Sequence, residues 1–293
     1  MSKLPVIIGM GGINPAGRTS SHHGYRRLVL DSLKPQDALA TRASLASLMG
    51  LLKKSDGAWR DAQGQIIQLD SWLQSLDPIL KSGTLIRRLE DNLFNPERVL
   101  FHKRATLNAE ADKPLSFVIR KQQLPDEIPL DWLISDHGPG QVRVEVPGAM
   151  EVLTENYLRS EVNSAGQLPT GFDPKDLYPS RNHPRGLQMT IYGASDAIQS
   201  LGIDWDTILG HVAPDQISVY AGSCMTQLDY NGNGGMLQAR LLGKKVSSKQ
   251  LPLGFAEMPA DFINAYILGN LGTTGTNVAA CATFLYNLRQ GIR

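Results

Sequence analysis

Cysteine is scarce in this sequence: only Cys224 and Cys281 occur among its 293 residues. Such scarcity argues against the disulfide framework of a small secreted domain and favours a reducing compartment. Residues 1–5 lead into no long apolar segment with a small-residue cleavage site, and no apolar run is long enough to cross a bilayer. We therefore expect a cytoplasmic protein without a membrane segment.

An excess of charge of one sign is also lacking. The 29 basic and 28 acidic residues leave a formal net charge of +1, which argues against nucleic acid or a membrane surface as a main partner. Local basic pairs such as Arg87-Arg88 and Lys244-Lys245 are most simply solvated surface. The apolar fraction of 42% is enough to build the core of one large α/β domain or two smaller ones.

The spacing of apolar residues predicts a chain of both helices and strands. Short apolar or alternating runs predict strands at 6–8, 115–119, 142–146 and 217–221. Apolar residues at helical spacing predict helices at 37–54, 70–76, 84–94, 150–162, 187–201, 236–245 and 261–268. We expect the strand at 6–8 to be buried and the strand at 142–146 to be an edge or half-exposed strand. Residues 163–186 are rich in Pro, Gly, Asn and Asp and are a candidate boundary.

Two glycine-containing segments resemble known ligand-binding loops, but each lacks a residue that such a loop needs. Residues 9–12 follow a strand like a dinucleotide-binding loop, but Asn14 replaces the third glycine and no acidic strand end follows. Residues 229–234 resemble the start of a calcium loop, but loop position twelve is Arg240 rather than glutamate, and an Asn/Gly turn is simpler. The six histidines show no metal-ligand spacing, so we expect structural or surface roles and no metal site.

The two cysteines lie in different sequence contexts. Cys224 closes an apolar strand, and we expect it to pack as a small hydrophobic residue. Cys281 follows a Gly/Thr-rich loop and precedes a helical pattern, a position where the helix dipole favours a reactive thiolate. On spacing alone, a nucleophile and a buried core residue are equally good interpretations of Cys281.

Three segments resemble the β-ketoacyl synthase family, which has the thiolase fold. Ala280-Cys-Ala-Thr283, after Gly275-Thr-Asn277, resembles the step that carries the family's nucleophile. Residues 185–222 resemble the helix and strand before its acyl pocket, and Val6 to Gly12 resembles its opening strand. The resemblance implies an α/β fold: the first half of a layered αβαβα arrangement, a mixed sheet flanked by helices, with an inserted helical subregion.

The resemblance also implies a reaction, site residues and partners. Cys281 would accept an acyl group from an acyl-CoA or acyl-carrier-protein primer, and its own backbone N–H would help to stabilise the oxyanion. Malonyl-carrier protein would then condense with the acyl group, with loss of CO2 and without a cofactor. The acyl pocket would include Ser223, Cys224, Met225 and Thr226. The acidic carrier protein would dock at Lys244, Lys245 and Lys249, and the full-length protein would be a homodimer.

The chain departs from the family in two places. Residues 20–183 form an elongated insertion that resembles a long bacterial subgroup of these synthases. The histidine and lysine motifs that follow the nucleophile in the family are missing, since every histidine precedes Cys281. We therefore expect residues 1–293 to be a partial synthase that is inactive in condensation alone. Two alternatives are a non-catalytic thiolase-fold partner that binds carrier protein and a nucleotide-dependent oxidoreductase.

Overall fold

The computed structural model describes residues 4–91, 94–225 and 227–292, and divides the chain into two compact units. The first unit comprises Met1–Arg87 and Gly166–Arg293, and the second comprises Arg88–Ala165. The α-helices of the described residues are α1 (His23–Leu28), α2 (Pro35–Leu48), α3 (Leu69–Ser75), α4 (Asp77–Ser82), α5 (Arg185–Gln199), α6 (Trp205–Leu209), α7 (Asn233–Ala239), α8 (Gln250–Leu253), α9 (Met258–Ile263) and α10 (Thr283–Ile292). The strands are β1 (Ile13–Asn14), β2 (Gly17–Arg18), β3 (Leu52–Ser55), β4 (Ala58–Asp61), β5 (Ile86–Arg88), β6 (Val99–Asn108), β7 (Leu115–Arg120), β8 (Leu133–Gly138), β9 (Gln141–Val146), β10 (Ala149–Leu158), β11 (Ser164–Gly166), β12 (Val219–Tyr220) and β13 (Thr274–Gly275).

Helix α5 is the central element of the first unit. Leu187 and Ile191, spaced four residues apart, place their side chains on one buried face, as expected for an amphipathic helix. The helix packs against α9, which continues as a π-helical stretch over Asn264–Leu268. β12 and β13 pair in parallel, and β12 contacts both α9 and α10. The predicted helices at 187–201 and 261–268 and the predicted strand at 217–221 are confirmed, the strand with shorter bounds.

A second apolar core of the first unit lies beneath α2. Leu45, Leu73 and Leu80 are fully buried and join α2, α3 and α4. Arg42 of α2 donates two hydrogen bonds to the carboxylate of Asp77 in α4, at 2.6 and 2.9 Å. The helix predicted at 37–54 is confirmed as far as Leu48, and β3 follows it.

The second unit is built from strands. β6 and β10 pair antiparallel over ten residues each, and β9 lies between β7 and β8 in a three-stranded sheet. Val142, Val144 and Val146 alternate along β9 and are buried. The expectation of an edge strand at 142–146 is wrong, because a neighbour pairs with β9 on each side. The expectation of a half-exposed strand is confirmed, since exposed and partly exposed polar residues alternate with the three buried valines.

Two predicted helices in the insertion are strands instead. Residues predicted as a helix at 150–162 form most of β10, and the helix predicted at 84–94 is replaced by β5 and loop at its described positions. Among the described residues of the insertion, no α-helix follows α4, and only short 3-10 helices occur after it, at Lys121–Gln123 and Pro174–Leu177. Pairing with β6 decides the conformation of β10, because a partner strand satisfies the backbone along its whole length whatever the local apolar spacing.

The opening strand is also not formed. Val6, Ile7 and Ile8 lie outside any strand and are more than 70% exposed. A strand needs a neighbouring strand to satisfy its backbone groups, and no strand among the described residues pairs with this segment. The prediction of a buried strand at 6–8 is therefore wrong for this chain.

Candidate active site

A cavity of about 820 Å³ lies in the first unit, beside the end of β12 and the start of α10. Its walls come from the loop at 9–12, α5, the segment after β12, α9 and the turn before α10. The lining residues are Gly11, Thr190, Gly193, Ala194, Ala197, Tyr220, Ala221, Gly222, Ser223, Cys224, Met225, Ile263, Ala280, Cys281, Thr283, Phe284 and Asn287. Glycine and alanine dominate the α5 side, so the helix backbone comes close to the cavity.

Cys281 lies in the turn that opens α10. Ala280–Ala282 form a single 3-10 turn, and α10 begins at the next residue, Thr283. The Cys281 side chain is exposed where it lines the cavity. The thiol is thus next to the amino-terminal end of a ten-residue helix, where the dipole favours negative charge. The predicted helix start after Cys281 is confirmed.

The segment predicted as an acyl pocket meets Cys281 in this cavity. Ser223, Cys224 and Met225 all line it, while the fourth predicted residue, Thr226, lies outside the described residues. The Sγ atom of Cys224 is 4.0 Å from the carbonyl oxygen of Ala280. Cys224 is exposed, so the expectation that it packs as a small core residue is wrong: β12 ends at Tyr220, and Cys224 follows in the loop beside the cavity.

A buried carboxylate fixes the loop that forms one side of the cavity. Asp196 of α5 is 2% exposed and accepts hydrogen bonds from the Gly12 N–H at 3.1 Å and from the Ser20 hydroxyl at 2.8 Å. The Arg18 guanidinium pairs with it at 2.6 Å. At Gly11 a Cβ atom would overlap the backbone of Ala197 in α5. The glycines at 9–12 therefore allow close packing on α5, which favours a structural role over dinucleotide binding.

Sequence reasoning identified Asn277 as part of the nucleophile motif but missed Asn287 and the contact between the two beside the Cys281 turn. Asn287 of α10 is 5% exposed and bonds both backbone groups of Asn277, which lies in the loop before Cys281. In the sequence, Asn287 stands out only as a polar residue within the apolar pattern of α10. That pattern does not show that Asn277 is its hydrogen-bond partner. These hydrogen bonds of the Asn287 side chain connect residues that are ten positions apart along the chain.

The described lining of the cavity has few titratable side chains. Of the described residues that line the cavity, none is a histidine, lysine, aspartate or glutamate. His183 is buried instead in an aromatic cluster, where its Nδ1 lies 3.0 Å from the Tyr178 hydroxyl and burial lowers its pKa. Burial also raises the pKa of Tyr192 to about 12. No group of three His, Cys, Asp or Glu side chains in the described part of the chain could hold a metal ion.

The three predicted docking lysines lie away from the cavity. Lys244, Lys245 and Lys249 are exposed in the connection from α7 to α8. The Lys244 ammonium lies 5.3 Å from the centre of the Tyr230 ring, so it is held over an aromatic face. No α-helix in the described ranges is both long and apolar enough to cross a membrane.

Comparison with known proteins identifies a similar enzyme. The chain is 48% identical over 292 residues to the β-ketoacyl-acyl-carrier-protein synthase FabY of Pseudomonas aeruginosa, an alignment that covers 100% of this chain and 46% of that protein. It is 23% identical over 320 residues to fatty acid synthase subunit alpha of Emericella nidulans, covering 99% of this chain and 18% of the relative. No protein-family model matches the chain.

A solved structure gives the fold. The crystal structure of the noncanonical ketosynthase FabY from P. aeruginosa matches with a TM-score of 0.92 and 48% identity, covering 100% of this chain and 46% of that one. The predicted α/β, thiolase-like fold class is therefore confirmed. The chain spans less than half the length of the curated relatives that it matches.

Proposed function

Because the chain belongs over its whole length to the β-ketoacyl-acyl-carrier-protein synthase family, we propose that it carries the acyl-accepting site of such a synthase and that Cys281 is the nucleophile. One observation carries this assignment. Cys281 is an exposed thiol at the start of α10, on the wall of a cavity of about 820 Å³ lined mostly by small and apolar side chains. A thiol in that setting can meet an acyl thioester.

The proposed first step is acyl transfer between two sulfur atoms. The Cys281 thiolate attacks the thioester carbonyl of an acyl-CoA or acyl-carrier-protein primer and forms a new C–S bond. The old C–S bond then breaks, and the leaving thiolate takes up the proton that Cys281 released. The backbone N–H of Cys281 is one donor to the oxyanion, and the dipole of α10 stabilises both anionic species. The products are acyl-Cys281 and a free thiol.

The acyl chain would lie along the segment after β12. Ser223, Cys224 and Met225 line the same cavity as Cys281, and Thr226 remains part of the proposed pocket. The exposed Met225 offers a flexible apolar side chain of the kind that adapts to a chain-like ligand. These contacts make an apolar acyl group, rather than a charged substrate, the group that the cavity suits.

The second proposed step is condensation with malonyl-carrier protein. Loss of CO2 leaves an enolate, which attacks acyl-Cys281, forms the C–C bond and returns the Cys281 thiolate. In the family, histidine and lysine motifs after the nucleophile serve this step; the sequence lacks them, and the described lining residues include no histidine or lysine. We propose that these 293 residues supply acyl transfer alone, and that condensation needs groups contributed by further protein.

The proposed partners follow from this reaction. Lys244, Lys245 and Lys249 form an exposed basic surface that suits an acidic carrier protein. A homodimer of the full-length protein and a cytoplasmic location remain part of the proposal. The alternative, a carrier-binding subunit without catalysis, predicts docking of the carrier without transfer of its acyl group.

The first test is labelling of the folded chain at its two thiols. Substoichiometric iodoacetamide, and separately a radiolabelled acyl-CoA primer, should both modify Cys281 in preference to Cys224. Cys224→Ala should keep the acyl label and Cys281→Ala should lose it. Preferential modification of Cys224 in a chain shown to be folded by circular dichroism would refute the assignment. Carrier binding with no acyl transfer to either thiol would favour the non-catalytic alternative.

A further inference from the structure

The turn that carries Cys281 has a backbone conformation that most residues avoid. Ala280, directly before the cysteine, has φ of +45°, in the left-handed region. A residue with a Cβ atom is strained in this region, because the Cβ atom comes close to the following carbonyl oxygen. Such a conformation persists only where neighbouring groups hold it, so the structure should contain a restraint on this turn.

One restraint is the side chain of Thr283, the first residue of α10. Its hydroxyl accepts a hydrogen bond from the Ala279 N–H at 3.1 Å and donates one to the Ala280 carbonyl at 2.8 Å. One hydroxyl therefore bridges the two backbone groups on either side of the left-handed residue. Release of this bridge would let Ala280 return to the ordinary, negative range of φ.

The second restraint is the side-chain amide of Asn287, one turn further along α10. Its Oδ1 accepts from the Asn277 N–H at 2.9 Å, and its Nδ2 donates to the Asn277 carbonyl at 2.9 Å and to the Thr283 carbonyl at 2.8 Å. Both amide hydrogens of Nδ2 and one acceptor position of Oδ1 are thus in use on a nearly buried side chain. The loop is fixed to α10 four residues before Cys281.

We propose that Asn287 is a positioning residue for Cys281, with Thr283 as its partner in the same role. The proposal rests on the assignment of Cys281 as the nucleophile. Both side chains line the cavity, and both act on the backbone around the turn rather than on the thiol itself. Together they hold the thiol on the cavity wall and next to the amino-terminal end of α10.

The experiment measures how fast iodoacetamide alkylates Cys281 as pH rises from about 6 to about 10, a range that spans thiol ionisation. Asn287→Asp keeps the shape of the side chain but removes its two donor hydrogens and adds a negative charge. Thr283→Val keeps the shape and removes the hydroxyl without adding charge. Each rate is divided by the rate of the same cysteine in the urea-unfolded chain.

The chain offers a matched control at the end of α9. Asn264 accepts from the Asn270 N–H at 2.8 Å and donates to the Asn270 carbonyl at 3.2 Å, the same clamp at a site that does not line the cavity. Asn264→Asp should lower the thermal midpoint as Asn287→Asp does. It should leave the normalised rate at Cys281 unchanged, because its clamp does not reach the Cys281 turn.

We expect Asn287→Asp and Thr283→Val to slow alkylation of Cys281 at pH 7 about tenfold, the factor that corresponds to a change of about 1.4 kcal/mol. Thr283→Ser should restore the rate. Unchanged rates in both folded variants, or an equal loss in Asn264→Asp, would overturn the positioning role. If Asn287→Asp fails to fold, the valine and serine variants of Thr283 decide. The wild-type rates at Cys281 and Cys224 test the proposed function separately, since they need no variant.

Discussion

At the scale of single residues, His183 shows how a buried titratable group ties stability to pH. Its ring is 7% exposed and packs edge-on against Phe262, with ring centres 4.7 Å apart. The Tyr178 hydroxyl lies 3.0 Å from its Nδ1. Burial lowers the pKa of His183 below the ordinary value, and the pKa of His23 is lowered in the same way, with Arg18 and Arg26 adding to the effect of burial.

This lowering gives a prediction with a definite sign. Below about pH 6.5 the His183 side chain binds a proton in the unfolded chain but stays neutral in the folded chain, because its folded pKa is lower. The free energy of unfolding is therefore highest above that pH and falls as pH decreases. We expect the thermal midpoint to drop between about pH 7.5 and about pH 5. His183→Asn should cost about 1–2 kcal/mol at pH 7.5 and flatten the profile. His137→Asn, at an exposed position, should leave the profile unchanged. A wild-type midpoint that rises towards pH 5 would contradict the prediction.

At the scale of elements, the connection from α7 to α8 concentrates positive charge on a near-neutral chain. Lys244, Lys245 and Lys249 are exposed, and only about ten residues separate the two helices. Exposed charges act over about 10 Å at 0.1 M salt, so this surface should guide an acidic partner mainly at low ionic strength. None of the three lysines lines the cavity.

Reversal of these charges should weaken carrier binding. We expect Lys244→Glu with Lys245→Glu to raise the Kd for acyl carrier protein about five- to tenfold at low salt, and addition of Lys249→Glu to raise it further. The pair Lys53 and Lys54 is a matched control, because it is also exposed and the Lys54 ammonium lies 5.5 Å from the centre of the Trp59 ring. Titration by isothermal calorimetry or fluorescence anisotropy gives the Kd. An equal effect of both pairs would mean that net charge alone, rather than this surface, controls binding.

At the scale of the whole molecule, the first unit contains the proposed acyl site and an exposed apolar stripe on the neighbouring helix α10. Phe284 and Leu285 of α10 are 73% and 63% exposed, and Leu288 and Ile292 are also exposed. Large apolar side chains in one helical stripe favour association with another surface. This exposure, together with a cavity whose described lining contains no histidine or lysine, motivates our proposal that condensation needs further protein.

We therefore expect the isolated chain to show no condensation of acetyl-CoA with malonyl-carrier protein, and to self-associate. Loss of the groups that stabilise the enolate costs on the order of several kcal/mol of barrier, or many powers of ten in rate. The assay is run on the chain and on a continuous protein of the relatives' full length, with light scattering to measure association. Turnover by the monodisperse chain, abolished by Cys281→Ala, would disprove this prediction.

Features that depend on neighbours along the chain were predictable from the amino-acid sequence. Apolar spacing identified α5 and α9, and the Ala-Cys-Ala-Thr step before a helical pattern located Cys281 at the start of α10. These predictions hold because helix periodicity and the position of a helix start are local properties. The resemblance in short motifs likewise indicated the family, whose fold is confirmed.

Tertiary structure alone decided what depends on residues far apart. β10 is a strand because β6 pairs with it, and the segment at 6–8 is not a strand because no described strand does. Cys224 lines the cavity because folding brings it to Ala280, 56 positions away along the chain. The clamp of Asn287 on Asn277 needs α10 to pack against the preceding loop. Contacts between residues far apart in the sequence produce no periodic pattern of apolar residues, since they form only when separate elements pack together.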